Sequence, residues 1–474
     1  MKKKSIMIIL IALAINGMGQ PETMWQLYMD GSIVRWAYSG GDEFDGNSLD
    51  QYKWRNDYPW GRNYSGTCAQ EYMTDGLNYS FSYNSDIQSN TIKLIAKKED
   101  VFKKGIEYED DDYLLLDGQP NLRWWHYTSG MLFSKQKYKY GIFEIRFKLP
   151  AGKGFFPAFW LFGGNPNEEF DIFEYKGEMP NKVHYDMHCP NCSSSFGDWV
   201  TANGNFSDGF NDMMGEWNPE WSQWVLNGQN FQVWFGNLNY QANIIANFSI
   251  AGPNPCAFSP DPDNTTIFPA EFEIDFIRVW TRLDCEQDQN ICNYNQTLED
   301  PTVLTGNQIN IGGSNCQVSL QSGQSLKLIA TNNITINSSF HANYGSQFHA
   351  KIVDCPDPGN VKSYVDGFSG LKVENINEID SIKSLILKQQ VNSPVLYTKI
   401  FPNPTKDKIT IEFAGKVDRN IRIELFNFSG QCVYFKDNIT DSKIEIDVSF
   451  LRQGVYELKG TFGNNSVSEK IIIK

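Results

Sequence analysis

Residues 169–174 read Glu169-Phe170-Asp171-Ile172-Phe173-Glu174, three carboxylates interleaved with three large apolar side chains. Alternate side chains of a β-strand face opposite sides. Glu169 and Asp171 then share one face, while Phe170 and Ile172 pack on the other. Glu174 lies five positions from Glu169, so an unbroken strand puts it on the Phe170 side. One extra residue near Ile172 or Phe173, a β-bulge, returns Glu174 to the other two acids. The outer glutamates are then about four strand steps apart, roughly 13 Å between backbones, a gap that inward-leaning side chains largely close. A retaining glycosidic cleavage uses two carboxyl groups about 5–5.5 Å apart and an inverting one about 6.5–9.5 Å; the retaining value is the closer fit. One glutamate would attack, the other would donate a proton, and Asp171 would hold the nucleophile. Like charges at this range push at least one pKa upward. The competing reading, a solvated acidic edge strand, fits poorly with the apolar bulk of Phe170, Ile172 and Phe173.

The flanking sequence carries further segments in a consistent order. Asp42-Glu43-Phe44-Asp45-Gly46 comes first, then Tyr127-Thr128-Ser129-Gly130, the run from Tyr140 to Pro150, and Pro157-Ala158-Phe159-Trp160. Ile274-Asp275-Phe276-Ile277-Arg278-Val279-Trp280 closes the series. Together with Glu-x-Asp-x-x-Glu, these segments resemble family 16 glycoside hydrolases of the bulged branch, which includes laminarinases and agarases. The resemblance spans roughly residues 24 to 282. It implies an all-β fold: a β-jelly roll of two curved antiparallel sheets, with the cleft on the concave face. Residue by residue, it implies Glu169 as nucleophile, Asp171 as its helper and Glu174 as acid/base. It also implies His188 beside the catalytic strand and Trp160 near the cleavage point. Relatives of this kind often carry a structural calcium on the convex side, for which Glu43 and Asp275 are candidate ligands; no cofactor is required. Two features depart from the pattern. The stretch Gly163 to Glu168 is short and polar where many laminarinases have Trp-Pro, and the usual histidine before Glu216-Trp217 is replaced around Asn211 to Met214. The expected activity is retaining endo-hydrolysis of a β-linked polysaccharide, a β-1,3-glucan such as laminarin first, a galactan such as agar second. The rivals are a non-catalytic polysaccharide-binding protein on the same sandwich and an adhesin whose middle module carries the function.

Composition narrows the partners. The 474 residues suffice for two to four domains. Aromatic residues make up 14%, including 13 Trp and 22 Tyr, and exposed rings of that kind stack on the C–H faces of sugars. Most belong in a sandwich core; Trp124, Trp125, Trp160 and Trp199 are candidates to reach a cleft. Adjacent strand positions face opposite ways, so at most one of Trp124 and Trp125 lines it. A net charge of −15 argues against nucleic acid and mildly against a heavily sulfated polymer. Lys2-Lys3-Lys4, the apolar run Ser5 to Ile15 and Gly17-Met18-Gly19 read as a secretory signal over residues 1–19. That run is too short to span a membrane, and a soluble, monomeric mature protein is expected. Nine cysteines in an exported chain allow disulfides and leave at least one free. Cys189 and Cys192 suit a local disulfide or a reduced pair near the cleft, because zinc needs about four ligands. Proximity of segments suggests Cys285–Cys292 and Cys316–Cys355.

Beyond the enzyme-like region, residues 283–304 read as a polar linker. Residues 305–355 carry short apolar strokes separated by Gly, Ser and Asn turns, a pattern that stacked β-coils explain; similar modules occur in exported Bacteroidota proteins. His341 and His349 lack a third ligand and read as ordinary polar positions. A second linker covers 356–396. From 397 to 474, Phe401-Pro402-Asn403-Pro404, alternating strands, Gly454-Val455-Tyr456 and a basic tail resemble the C-terminal sorting domain of the type IX secretion system. That resemblance implies the secretion machinery as partner, passage through the outer membrane, and a secreted or surface-attached product. No Gly-rich phosphate loop, serine nucleophile elbow or HExxH occurs.

Overall fold

Alternation of large apolar and polar residues dominates the chain, and the computed structural model turns it into strands. It describes residues 8–9, 23–28, 33–64, 69–107, 114–115, 118–189, 197–236, 238–252, 258–292, 303–353, 355, 397–401, 405–414, 421–427, 432–439, 443–462 and 465–473. Every regular element among them is a β-strand. The chain divides into two compact units, residues 1–358 and 359–474.

Two antiparallel sheets form the larger part of the first unit. The smaller has seven strands in the order Asp198–Thr201, Lys182–His188, Glu169–Tyr175, Phe155–Phe162, Ala242–Ile250, Met131–Tyr138 and Trp54–Arg55. The larger sheet includes Gly141–Lys148, Asn211–Trp217, Ile33–Asp42 and Ala270–Arg282. Its opening and closing segments are neighbours, with Ile277 opposite Asp42 and Val279 opposite Gly40. Phe143, Ile145 and Phe147 alternate inward along Gly141–Lys148 and are fully buried. They meet Phe159, Phe170, Ile172, Phe173 and Phe272 from both sheets in one core. Phe147 stacks on Phe173 at 4.5 Å between ring centroids, which ties the two sheets directly beneath the carboxylate run. The large sheet buries its other face locally as well: Ile142, Met214, Val225 and Trp280 pack with Val34 and Trp36. This is the expected all-β sandwich. Of the 1–19 segment only Ile8–Ile9 is described, a short strand beside Leu27–Tyr28 and Gln229.

The stacked coils are present, and they begin earlier than expected. Gln289–Ile291, Val303–Ile311, Ser325–Ile336 and Gln347–Ile352 run parallel in one sheet, and Val318–Leu320 runs parallel to Phe340–Ala342 in another. Val318 sits beside Phe340 and Ser325 beside Gln347, one coil of 22 residues later in each case. The supposed linker 283–304 therefore supplies the first rung at 289–291, because Ile291 completes the core of Ile309, Ile311, Val318, Leu320 and Leu328. Leu283, Val303, Ile329 and Val353 pack with Ala37 of the sandwich, and Thr305 Oγ1 donates to the Arg282 carbonyl at 3.0 Å. The cysteines pair as Cys285–Cys355 and Cys292–Cys316, which corrects both expected bridges. Cys292–Cys316 joins residues one coil apart and Cys285–Cys355 joins residues that flank the module, so sequence proximity misleads. The 356–396 segment lies outside the described residues.

The second unit holds two antiparallel sheets. One contains Tyr397–Phe401, Lys408–Ala414 and Lys443–Asp447; the other contains Cys432–Ile439, Ile421–Phe426, Gly454–Phe462 and Asn465–Ile473. Ile409, Ile411, Ile423, Leu425, Ile446 and Leu458 fill the space between them. Among the described cysteines, Cys432 is free and exposed. Residues 402–404, which hold the Pro-Asn-Pro of the opening motif, are outside the described set.

Candidate active site

The strand Glu169–Tyr175 carries the bulge. Against the strand Lys182–His188, Asp171 pairs with Asp186 and Glu174 with His184, so Ile172 and Phe173 together oppose the single residue Tyr185. Against Phe155–Phe162 the shift recurs: Phe173 faces Phe159, and Asp171 faces Trp160. The cause lies in the core. Ile172 and Phe173 are consecutive, and both are completely buried together with Phe170 and Tyr175. Two neighbours can face the same core only if the strand yields one residue, and every later side chain then changes face. Trp224, from the opposing sheet, pins the bulge: its Nε1 donates to the Asp171 carbonyl at 2.9 Å, and its ring meets Phe170 edge-on at 4.8 Å.

Glu169, Asp171 and Glu174 consequently line one pocket with Tyr58, Tyr64, Phe156, Ala158, Trp160, Asn247 and Ser249. His188 Nε2 lies 3.3 Å from Asp171 Oδ2, 3.7 Å from Asp186 Oδ2 and 4.0 Å from Glu169 Oε1. His184 Nδ1 is 3.0 Å from Glu174 Oε2. Trp160 donates from Nε1 to Asn247 Oδ1 at 2.8 Å, and Tyr64 meets its ring edge-on at 5.7 Å. Burial first, then mutual charge, drives the Asp171 and Glu169 carboxyls well above the usual range. Among the described residues, only Glu169, Asp171 and His188 bring three potential metal-ligand atoms within 4.8 Å of one another.

Of the aromatic candidates, Trp160 reaches the pocket. Trp125 is 1% exposed and packs with Ile106 and Leu115, its Nε1 donating to the Lys103 carbonyl, so it cannot meet a ligand. Trp124 is 60% exposed, as strand alternation requires, but it packs on Phe102 and is not among the pocket-lining residues. Trp199 is half-buried, its ring packed with Phe258 and His184. The proposed calcium ligands are otherwise engaged. Arg278 grips Glu43 through Nε at 2.8 Å and Nη2 at 2.6 Å, and Arg146 Nη1 lies 3.2 Å from Asp275. Each carboxylate thus has a guanidinium beside it. Cys189 is in a disulfide, and Cys192 lies outside the described residues.

Sequence reasoning missed His184, Tyr58, Tyr64, Asn247 and Ser249. His184 had a usable signal: it alternates with Asp186 and His188 on one strand face. The others arrive from segments far away in the chain and had none.

Residues 77–245 match the family Glycosyl hydrolases family 16, and residues 399–474 match the Secretion system C-terminal sorting domain. The chain is similar to a glucan endo-1,3-beta-glucosidase of Cryptopygus antarcticus, 28% identical over 193 residues that cover 33% of this chain and 71% of the relative. It is also similar to a beta-glucanase of Rhodothermus marinus, 25% identical over 276 residues, 52% of this chain and 85% of the relative. The laminarinase catalytic domain from Thermotoga maritima MSB8 is a structural neighbour at 27% identity and a TM-score of 0.42, covering 52% of this chain and 98% of that one.

Buried acids outside the pocket add to the pH response of stability. Burial raises Glu71 to about 8 and Glu144 to about 7. An acid whose folded pKa lies above its unfolded value favours the fold fully at low pH and ceases to do so as pH rises through the folded value. We expect Tm to fall between about pH 4.5 and 8. The Glu71→Gln variant should flatten that fall, which calorimetry across the range would check.

Proposed function

We propose that this glycoside hydrolase, which carries a family 16 domain within residues 77–245 and a type IX sorting domain at 399–474, cleaves internal β-1,3 linkages of a glucan by double displacement. The strongest support is the bulge that brings Glu169, Asp171 and Glu174 into one aromatic-walled pocket. Relatives described as glucan endo-1,3-beta-glucosidase and beta-glucanase support the substrate class.

The environments of the three acids suggest a division of labour. Glu169 and Asp171 are too close and too buried to be charged together, so one proton serves both. Asp171 has the more buried side chain, 3% exposed against 17% for Glu169, and desolvation is the larger cost. For the chemistry we assign the shared proton to Asp171, which leaves Glu169 as the attacking carboxylate. Glu169 attacks the anomeric carbon as the glycosidic C–O bond breaks, and Glu174 gives its proton to the departing oxygen. Water then loses a proton to Glu174, bonds to the anomeric carbon and releases Glu169. His184, hydrogen-bonded to Glu174 Oε2, leaves the other oxygen to face the leaving group. Trp160 and Tyr64 offer ring surface to the sugar. The sorting domain directs the enzyme out through the type IX system, and we assign residues 1–19 as the signal for the preceding step.

Reducing-end release from laminarin, with little from agarose, would support the glucan reading; cleavage of agarose alone would overturn it. Glu169→Gln should cut kcat to below about a thousandth of wild type while circular dichroism stays unchanged. Near-normal turnover in that variant would remove Glu169 from the chemistry. Glu174→Ala should slow polymer hydrolysis by about 10²–10⁴-fold. Activated aryl glycosides, whose leaving group needs no proton, should suffer far less.

A further inference from the structure

Before the bulge the strand ladder is regular, and it sets four ligand-type side chains on one face. Glu169 pairs with His188 and Asp171 with Asp186, so positions 169 and 171 of one strand stand opposite 188 and 186 of the next. His188 Nε2 is their common neighbour, 3.3 Å from Asp171 Oδ2, 3.7 Å from Asp186 Oδ2 and 4.0 Å from Glu169 Oε1. The hydrolysis described above gives this nitrogen no task. Asp171 Oδ2 belongs to a side chain 3% exposed and has no hydrogen-bond partner among the described residues. Asp186 Oδ1 accepts the Met187 backbone N–H at 2.7 Å, which leaves Oδ2 for the cluster.

A buried carboxylate oxygen that no donor reaches is unfavourable, and carboxylates this close repel unless a positive charge lies between them. A divalent cation answers both. The donor set narrows which one. A ring nitrogen beside carboxylate oxygens suits a borderline ion such as zinc, whereas calcium and magnesium prefer oxygen alone. Zinc bonds of about 2.0–2.2 Å put tetrahedral ligands about 3.3–3.6 Å apart. Asp171 Oδ2 already stands at that distance from His188 Nε2, and Asp186 Oδ2 and Glu169 Oε1 are within a few tenths of an ångström of it. The His188 side chain is 45% exposed and has room to take up the difference. Asp171 is held from behind, where Trp224 donates to its carbonyl.

We propose that Glu169, Asp171 and His188, completed by Asp186, form a zinc-binding site whose occupation switches the enzyme off. The ion sits on Glu169, the residue assigned to attack the anomeric carbon, so zinc and glucan exclude one another. The inhibitory role rests on the glycan-cleaving reading of this pocket; the binding site itself does not. Glu174 and His184 stay outside the site. The bulge moves them to the next pair along the ladder, where His184 Nδ1 lies 3.0 Å from Glu174 Oε2.

The test titrates zinc chloride into the full chain by calorimetry, in a Cys432→Ser background because an exposed thiol takes zinc by itself. One ion should bind per chain. Changing even an outer partner of a metal ligand costs about 10–100-fold in affinity. His188→Gln and Glu169→Gln, each removing a ligand, should therefore weaken zinc at least about tenfold with circular dichroism unchanged. His341→Gln, in the coil module, should leave zinc affinity within about twofold. In laminarin kinetics, zinc at about ten times its Kd should raise KM about tenfold with kcat retained, and a chelator should reverse the effect. Unchanged zinc affinity in His188→Gln, or no binding by about 1 mM zinc, would overturn the site and leave the hydrolase reading intact. Inhibition that lowers kcat alone would place the ion elsewhere and overturn it too. A chain that binds zinc through His188 and Glu169 yet cleaves no glucan would keep the site and overturn the hydrolase reading instead.

Discussion

Two adjacent apolar side chains, Ile172 and Phe173, both require the interior of the sandwich, and the placement of every acid in the pocket follows from that requirement. A strand cannot face two neighbours inward without gaining a residue. The gain turns Glu174 outward, level with His184 on one side and Ala158 on the other. Burying one large apolar side chain is worth about 1.5–3 kcal/mol, while leaving a glutamate unpaired in the core would cost several. Both terms favour the bulge. The core and the acid pair are thus solved by one local distortion, and Phe147, stacked on Phe173 from the opposite sheet, secures it.

The acids themselves do not stabilise this arrangement. Asp171 and Glu169 are buried at the expense of their ionisation, and His188 approaches three carboxylates at once, Asp171 most closely. A pocket of this kind needs a rigid frame. It gets one from Trp224 at the Asp171 carbonyl and from the dense aromatic packing behind Phe170 and Phe173. Strain of this sort at a functional site is offset elsewhere in the fold.

Sequence carried what is local. The carboxylate alternation, the need for a bulge, the stacked coils and the strands of the final domain all arise from neighbours in the chain, and the structure has each of them. It carried poorly what depends on distant partners. Glu43 and Asp275 look like free oxygen ligands until Arg278 and Arg146 are seen beside them. Trp124 and Trp125 obey strand alternation, but which cavity, if any, a ring faces is a tertiary fact. The disulfides joined cysteines 24 and 70 residues apart rather than the nearest ones along the chain. Asn247 and Ser249 carry no signature of their own, because an amide and a hydroxyl acquire a role only from what stands opposite.

The charge of the pocket bears on which polymer it suits. Glu169, Asp171 and Glu174 line it, Asp186 stands close to His188, and among the described residues no lysine or arginine lines it. A sulfated or uronic chain entering there would meet at least one carboxylate with no cation to balance its own charge, and like charges in a low-dielectric cleft repel strongly. A neutral chain meets no such barrier. It can exchange its hydration for the rings of Tyr64 and Trp160 and for amide and hydroxyl partners, and these are the groups the pocket supplies. The net charge of −15 points the same way at long range, but the lining decides it at contact. The acids that line the pocket therefore disfavour an anionic chain there.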